Sequence, residues 1–445
     1  MNRFTGQTAR LINSFVWLLI LLTLISCQNN LFRDDARVGP WVSDLIQNSP
    51  SNTSYPDADI VYLLNESIQE VFDDGSSKNT IHTVFKVLNE SGKDYADCEI
   101  GYNSRLQNIT ILYARTITPD GKVISLRKNA IKIVTPYSSY PDYSDYKEMT
   151  FSMPGVEVGS VIDYKYVKKE KPTIKGIFTG GFFFQTFEPI LHSRYKVIVP
   201  KGMEMRYRLL NPLGSATQVP EIYIEDGKKT YLWEYHDIPQ IFLEDSMPPL
   251  EEIASYVMVT NMGRWEEFFL WWRNEIKDKT APNDEIKIKV TELTKDLISE
   301  EEKMEALFNY VNQDIRYVSI NLGKSGYVPE SAKEVFENKY GDCKDKSTLL
   351  ISMLMAAGIS ANYVLIPTHD RGNLIKDFPY PDQFNHCIVA VKKKDRYKFI
   401  DPTSEGYHIS YLREDDQNRG VLIFEEKPRF GKTPLLDSDQ NGLVS

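Results

Sequence analysis

The hydrophobic period of this chain changes once, near residue 263, and that change divides what the chain can fold into. From about 56 to 240, short runs rich in Val, Ile, Tyr and Thr are broken by turn dipeptides. "DIVYLLNESIQEVF" meets Asp74-Gly75, "ITILYARTIT" meets Pro119-Asp120-Gly121, and "EMTFSM" meets Pro154-Gly155. "RYKVIV" meets Lys201-Gly202, and "IYIE" meets Asp226-Gly227. Turns at this frequency predict an all-β sandwich of antiparallel sheets. After 263 the period becomes helical. With 445 residues the chain exceeds one core.

In the helical half, "RWEEFFLWWRNEI" puts Trp265, Phe268, Phe269 and Trp272 on one face, which reads as core. Pro282 stands where a helix opens, and Ser299 with Glu302 forms a capping-box signature. "KYGDCKDKSTLLISMLMAAG" reads as a mostly buried helix closed by Gly358. The strands "ANYVLIP", "FNHCIVAV" and "YKFID" follow, with a charged loop, "THDRGNLIKDFPYPDQ", between the first two. Helices followed by an antiparallel sheet predict an α+β domain.

Cys343 stands at the mouth of the buried helix. Unpaired amides and the positive end of the dipole favour a thiolate there and can bind an oxyanion. Gly341 is read as permitting a tight turn and close approach of substrate. A nucleophilic thiol needs a base, and among six histidines His386 differs from the others by its apolar strand. His82, His192 and His236, in the β half, read as surface or satisfied core residues. A two-residue loop at Lys393-Lys394 would set His386 opposite Asp401, with Ile388 opposite Phe399 and Ala390 opposite Tyr397. A carboxylate that orients an imidazole beside a thiol is the arrangement nucleophilic acyl transfer needs. Tyr317 and Tyr340 are candidate oxyanion partners. The tyrosines at 137, 140, 143 and 146 read as an exposed loop or a stacking surface. Cys387, one residue past His386, points to the other strand face and reads as a core thiol. A Cys98–Cys387 disulfide is an open pairing.

"YGDCKDKSTLLISMLMAAGISANYVLI" together with "FNHCIVAV" and "YKFIDPT" resembles the transglutaminase-like superfamily core, a papain-like cysteine acyltransferase or hydrolase fold. "FSMPGVEVGSVIDYKYV" resembles the DUF3857 domain that precedes such a core in bacterial envelope proteins. The resemblance implies Cys343 as nucleophile, His386 as base and acid, and Asp401 as orienter. The implied chemistry is acyl transfer on amide or peptide bonds through a thioester, with hydrolysis expected over crosslinking. The second reading is an inactive transglutaminase-like module that binds peptide or glycan. Domains are expected at 56–240 (β-sandwich), 241–262 (connector), 263–410 (catalytic) and 411–445, an incomplete start of the further β domain that such proteins usually carry.

The N-terminus has Arg3 and Arg10, an apolar run from Phe15 to Ile25, and Leu24-Ile25-Ser26-Cys27, which resembles a bacterial lipobox. Residues 1–27 are therefore expected to be a lipoprotein signal and 28–55 a tether. Cys27 would be the lipidated residue. Gln28 resembles outer-membrane sorting, so the expected location is the cell envelope, lipid-anchored at the outer membrane. An amide-bearing envelope substrate and the membrane are the expected partners. A net charge of −10 argues against nucleic acid. The four cysteines show no CxxC or Cys/His ligand spacing, and no acidic calcium loop is present. No metal or cofactor is expected.

Overall fold

A computed structural model describes residues 38–140, 145–214, 219–318 and 326–436. The signal, Cys27 and Tyr143 lie outside the described residues. The period-two half builds one large sheet. In it β12 (Glu221–Glu225), β13 (Lys228–Ile238), β10 (Ile190–Pro200), β1 (Ile60–Val71), β2 (Ser77–Val87), β8 (Val161–Glu170), β4 (Gln107–Ile117) and β5 (Val123–Ser125) lie in that order. Two three-stranded sheets cover one face. The first holds β3 (Asp97–Asn103), β7 (Tyr146–Ser152) and β6 (Lys132–Val134); the second holds β11 (Arg206–Leu210), β14 (Tyr256–Thr260) and β9 (Thr179–Phe183).

Alternation explains the layers. Phe85, Ile109 and Ile162 of the large sheet meet Met149 and Phe151 of β7. Tyr195, Val197, Tyr231 and Trp233 meet Val257 and Val259 of β14. On the opposite face, helix α1 (Pro40–Gln47) packs Val42 near Leu64 and Val84.

The sandwich departs from the expected pattern in three ways. The pair β1–β10 is parallel, not antiparallel, because the chain makes a long crossover between them. Three of the five turn dipeptides close hairpins, at 74–75, 119–121 and 226–227. The other two, at 154–155 and 201–202, carry the chain from one sheet to another, which a turn dipeptide cannot distinguish. Finally, residues 256–260, expected within a connector, are the central strand of the second small sheet.

In the helical half, α2 (Leu250–Ile253) leads to α3 (Trp265–Ile276), whose Trp265, Phe268, Phe269 and Trp272 are buried as expected. Asn283, the residue after Pro282, caps α4 (Asp284–Thr294), and Ser299 caps α5 (Glu300–Asp314) with the reciprocal Glu302 contact. After α6 (Ala332–Asn338) comes α7 (Cys343–Ala356), buried on every side from 343 to 354. Gly358, at φ +79°, ends it. Behind α7 stands a sheet of β19 (Arg396–Ile400), β18 (His386–Lys393), β17 (Ala361–Ile366), β20 (Gly420–Phe424) and β21 (Pro428–Lys432). The last two strands correct the expectation for 411–445. They complete this sheet because Leu422 and Phe424 are buried in the same core as α7. No described helix is long and apolar enough to cross a membrane.

The loop 367–385 fastens the halves together. Phe378 and Tyr380 pack on Met258, Tyr380 Oη lies 3.4 Å from Tyr256 Oη, and Arg208 pairs with Asp377 at 2.7 Å.

Candidate active site

The site begins with the end of α7. Asp342 is the N-cap, and its Oδ1 accepts from the amides of Lys344 (2.8 Å) and Asp345 (3.2 Å). Asp345 Oδ2 accepts in return from the Asp342 amide at 3.0 Å. The cap thus takes two of the amides expected to bind an oxyanion. The Cys343 amide, with no acceptor among the described residues, is the donor left at the helix tip. Gly341 serves a different purpose from the one expected. A Cβ there would stand 2.6 Å from Asp345 Cβ, so the glycine admits the capping box itself.

Two lysines flank the thiol without facing solvent. Lys344 Nζ donates to Asp342 Oδ2 at 2.5 Å. Burial opposes its charge, but Asp342 and its neighbours prevail and raise its pKa. Lys346 donates to the carbonyls of Asn312 (3.1 Å) and Ile315 (2.8 Å), satisfying the C-terminal end of α5. Burial lowers its pKa to about 8.

The structure brings Cys343, His386 and Asp401 together. They are 5%, 5% and 2% exposed, so the reacting groups are screened from bulk water. His386 Nε2 lies 3.3 Å from Asp401 Oδ1, close enough to pair with the carboxylate but without an aligned hydrogen bond among the described residues, and the imidazole lines the same small cavity as Cys343. With Nε2 turned to the carboxylate, Nδ1 is left for the sulfur. Asp401 Oδ1 accepts from the Thr403 amide (2.9 Å) and hydroxyl (2.8 Å), and Oδ2 from Ser404 (2.6 Å).

The register that brings them together differs from the expected one by two residues. Val389 pairs with Ile400 and Lys393 with Arg396, because the tight loop forms at Lys394-Asp395 with Lys394 at φ +54°. Asp401 therefore sits diagonally from His386, not opposite it. A shift of two keeps both side chains on one face, whereas a shift of one would have parted them.

Electrostatics holds the pair charged. Burial would lower the His386 pKa, yet the Asp401 charge 3.3 Å away raises it well above the usual value. For Asp401, burial is outweighed by His386, Arg413 and Ser404, which hold its carboxyl far below the usual range.

Two contributors escaped the sequence reading. Arg413 Nε lies 3.2 Å from Asp401 Oδ2 and 3.7 Å from Asp416 Oδ2. Asp416 is fully buried, and neither of its oxygens has an aligned hydrogen bond among the described residues. Burial raises its pKa to about 7. The run "REDD" at 413–416 was a signal, but a charged run ordinarily marks a solvated face. His386, Asp401 and Asp416 offer donor atoms within 4.8 Å of one another. Arg413 lies beside both carboxylates, and with the imidazolium of His386 it supplies two positive charges against their two negative ones.

Other expectations resolve differently. Tyr140 stacks edge-on against Tyr340 at 5.1 Å, and both pack on Val318. The tyrosine loop is thus packed against the strand leading to the nucleophile. Neither Tyr317 nor Tyr340 is among the residues lining the Cys343 cavity. Cys98 and Cys387 are free thiols in separate cores, so they do not pair. Cys387 is buried as expected.

Cys343 and His386 line a cavity of about 70 Å³ with Tyr327, Arg371, Phe384 and Asn385. Tyr327, Arg371 and Phe384 also border a trough of about 390 Å³ whose other wall, including Lys168, Glu170, Gly180 and Gly181, comes from the β domain. Arg371, Tyr380 and Asp382 continue it into a third hollow of about 280 Å³.

A helix-tip cysteine against a strand histidine and its carboxylate, on this helix-and-sheet frame, is the core layout the sequence resembled. Residues 288–402 match the transglutaminase-like superfamily, and residues 73–242 match the Domain of Unknown Function DUF3857. The chain carries a DUF3857 region followed by a transglutaminase-like domain. A solved structure from Parabacteroides distasonis ATCC 8503, named only as a candidate protease, aligns with TM-score 0.72 and 19% identity. It covers 84% of this chain and 72% of that one, a likeness of fold across both domains. A candidate cysteine protease of Cytophaga hutchinsonii (12% identity, 83% and 95% coverage, TM-score 0.23) and a zinc metallopeptidase of Deinococcus radiodurans (10%, 45% and 42%, 0.25) are too distant in shape to inform the reading. No curated protein matches the sequence.

Proposed function

We propose that this DUF3857 and transglutaminase-like protein is a cysteine hydrolase of amide or peptide bonds. The observation that carries the reading is the buried Cys343–His386–Asp401 chain opening into a trough walled by both domains. Cys343 Sγ attacks the carbonyl carbon, and the Cys343 amide stabilises the oxyanion. The imidazolium of His386 gives its proton to the leaving amine, and a thioester remains. Water then attacks, His386 takes its proton, and the acid departs with the thiol restored. Asp401 keeps the ring oriented throughout. A trough of about 390 Å³ that continues into a second hollow of about 280 Å³ suits an extended peptide better than a small amide. In this reading the protein is exported, lipidated at Cys27 and held at the outer membrane, where envelope peptides and water are both abundant.

A thiol-directed alkylating probe, read by peptide mass spectrometry, tests the site. Cys343 should label in folded protein, and labelling should slow about 100-fold or more in His386→Ala. Equal labelling of both proteins would remove the base from the mechanism. Absence of cleavage across a peptide library despite a reactive Cys343 would favour the binding-module reading.

A further inference from the structure

We propose that His192, Glu234 and His236 form a site for a divalent transition-metal ion, Zn²⁺ first among them, on the outer face of the large sheet. The site is separate from the cysteine centre and lies in the DUF3857 region. The observation is geometric. His192 in β10 pairs directly across from His236 in β13, and Glu234 precedes His236 by two residues on the same strand face. One donor atom from each lies within 4.8 Å of the other two. The imidazole rings stack with centroids 4.5 Å apart and planes 17° apart, and Glu234 Oε1 sits 2.5 Å from His192 Nε2.

Alternation sets the constellation. Tyr195, Val197, Tyr231, Trp233 and Tyr235 point inward to the core, which turns His192, Glu234 and His236 outward. Two adjacent paired strands are a rigid base for ligands. Tetrahedral zinc with donors at about 2.0–2.1 Å needs donors roughly 3.3–3.4 Å apart. Rotation of the exposed Glu234 and His236 side chains can close the remaining gap without moving the backbone.

The donor set selects the class of ion. Two imidazoles and one carboxylate suit zinc, copper, nickel or cobalt, whereas calcium and magnesium require oxygen donors. Three protein ligands converge among the described residues, and Glu234 and His236 are exposed. At least one coordination position therefore opens to solvent, as in zinc sites that bind an external ligand rather than closed structural ones. Trp41 stands 6.3 Å from His192, near enough for its emission to report on a bound paramagnetic ion.

The test is titration of the chelator-treated full-length protein with Zn²⁺ by calorimetry and with Cu²⁺ by tryptophan fluorescence. One ion per chain is expected, with quenching that is largely lost in Trp41→Phe. His192→Ala and His236→Ala should each weaken binding about tenfold or more, with unchanged circular dichroism. His386→Ala should bind as the wild type does. No uptake by the wild type, uptake unaffected by the two β-domain variants, or uptake lost only in His386→Ala would each overturn the proposal.

Discussion

At the scale of single residues, the charge around His386 makes two predictions. Asp401→Ala would leave the imidazolium and Arg413 without their shared partner, an uncompensated buried charge costing roughly 3–5 kcal/mol. Chemical denaturation at neutral pH measures it. Asp416 contributes in the opposite sense to Asp401. Its folded pKa is raised to about 7, so between the ordinary carboxyl range and pH 7 the folded protein holds a proton that the unfolded chain has lost. That contribution to stability is therefore full at low pH and falls as pH rises towards 7. In Asp416→Asn this fall should disappear, so stability of wild type and variant compared at pH 5 and pH 8 should diverge by a few kcal/mol at most. The His386–Asp401 pair bounds a wider window. The raised His386 contributes stability below the ordinary histidine value and loses it as pH climbs through its folded value. The depressed Asp401 contributes above the ordinary carboxyl value and loses it as pH drops through its own. The rate of Cys343 alkylation against pH should carry an inflection near 7 that Asp416→Asn abolishes. An unchanged profile would mean that Asp416 does not influence the pair.

At the scale of the element, α7 was the most readable part of the chain and its cap the least. A run of apolar and small residues bounded by Asp342 and Gly358 announces a buried helix with defined ends. What the run does not announce is that Asp342 and Asp345 bond each other's backbone, or that Gly341 must lack a Cβ for them to do so. Gly341→Ala should therefore destabilise the protein by roughly 1–3 kcal/mol through overpacking and should slow Cys343 labelling, because the helix tip would shift. Loss of stability without any change in labelling would show that the tip geometry is set elsewhere. The β18–β19 hairpin teaches a complementary lesson. Alternation identified which residues share a face, but "KKKDR" offers no turn signal strong enough to choose the register. The loop formed one residue along from the expected place, which shifts the pairing by two, and the site survived because that slip was even.

At the scale of the whole molecule, the loop 367–385 ties the β domain to the catalytic half and also lines the trough. Tyr380→Ala should loosen that junction, seen as faster limited proteolysis within 367–385. If the trough binds substrate, the same change should raise KM for a peptide more than it lowers kcat. An equal loss in kcat alone would place the effect at the cysteine centre instead. The chain's own order of residues determined a β-rich half, a helix-and-sheet half, a buried helix with a thiol at its tip, and the histidine and carboxylate that share one face of the hairpin. These are local or nearly local properties, written in hydrophobic period, caps and alternation. Tertiary structure alone decided that β14 joins the sandwich, that β20 and β21 finish the catalytic sheet, and that Asp416 and Arg413 press on the triad. It also set His192 and His236 side by side. Such pairings join residues far apart in sequence, and their free energy comes from burial and charge that exist only once the chain has closed around them.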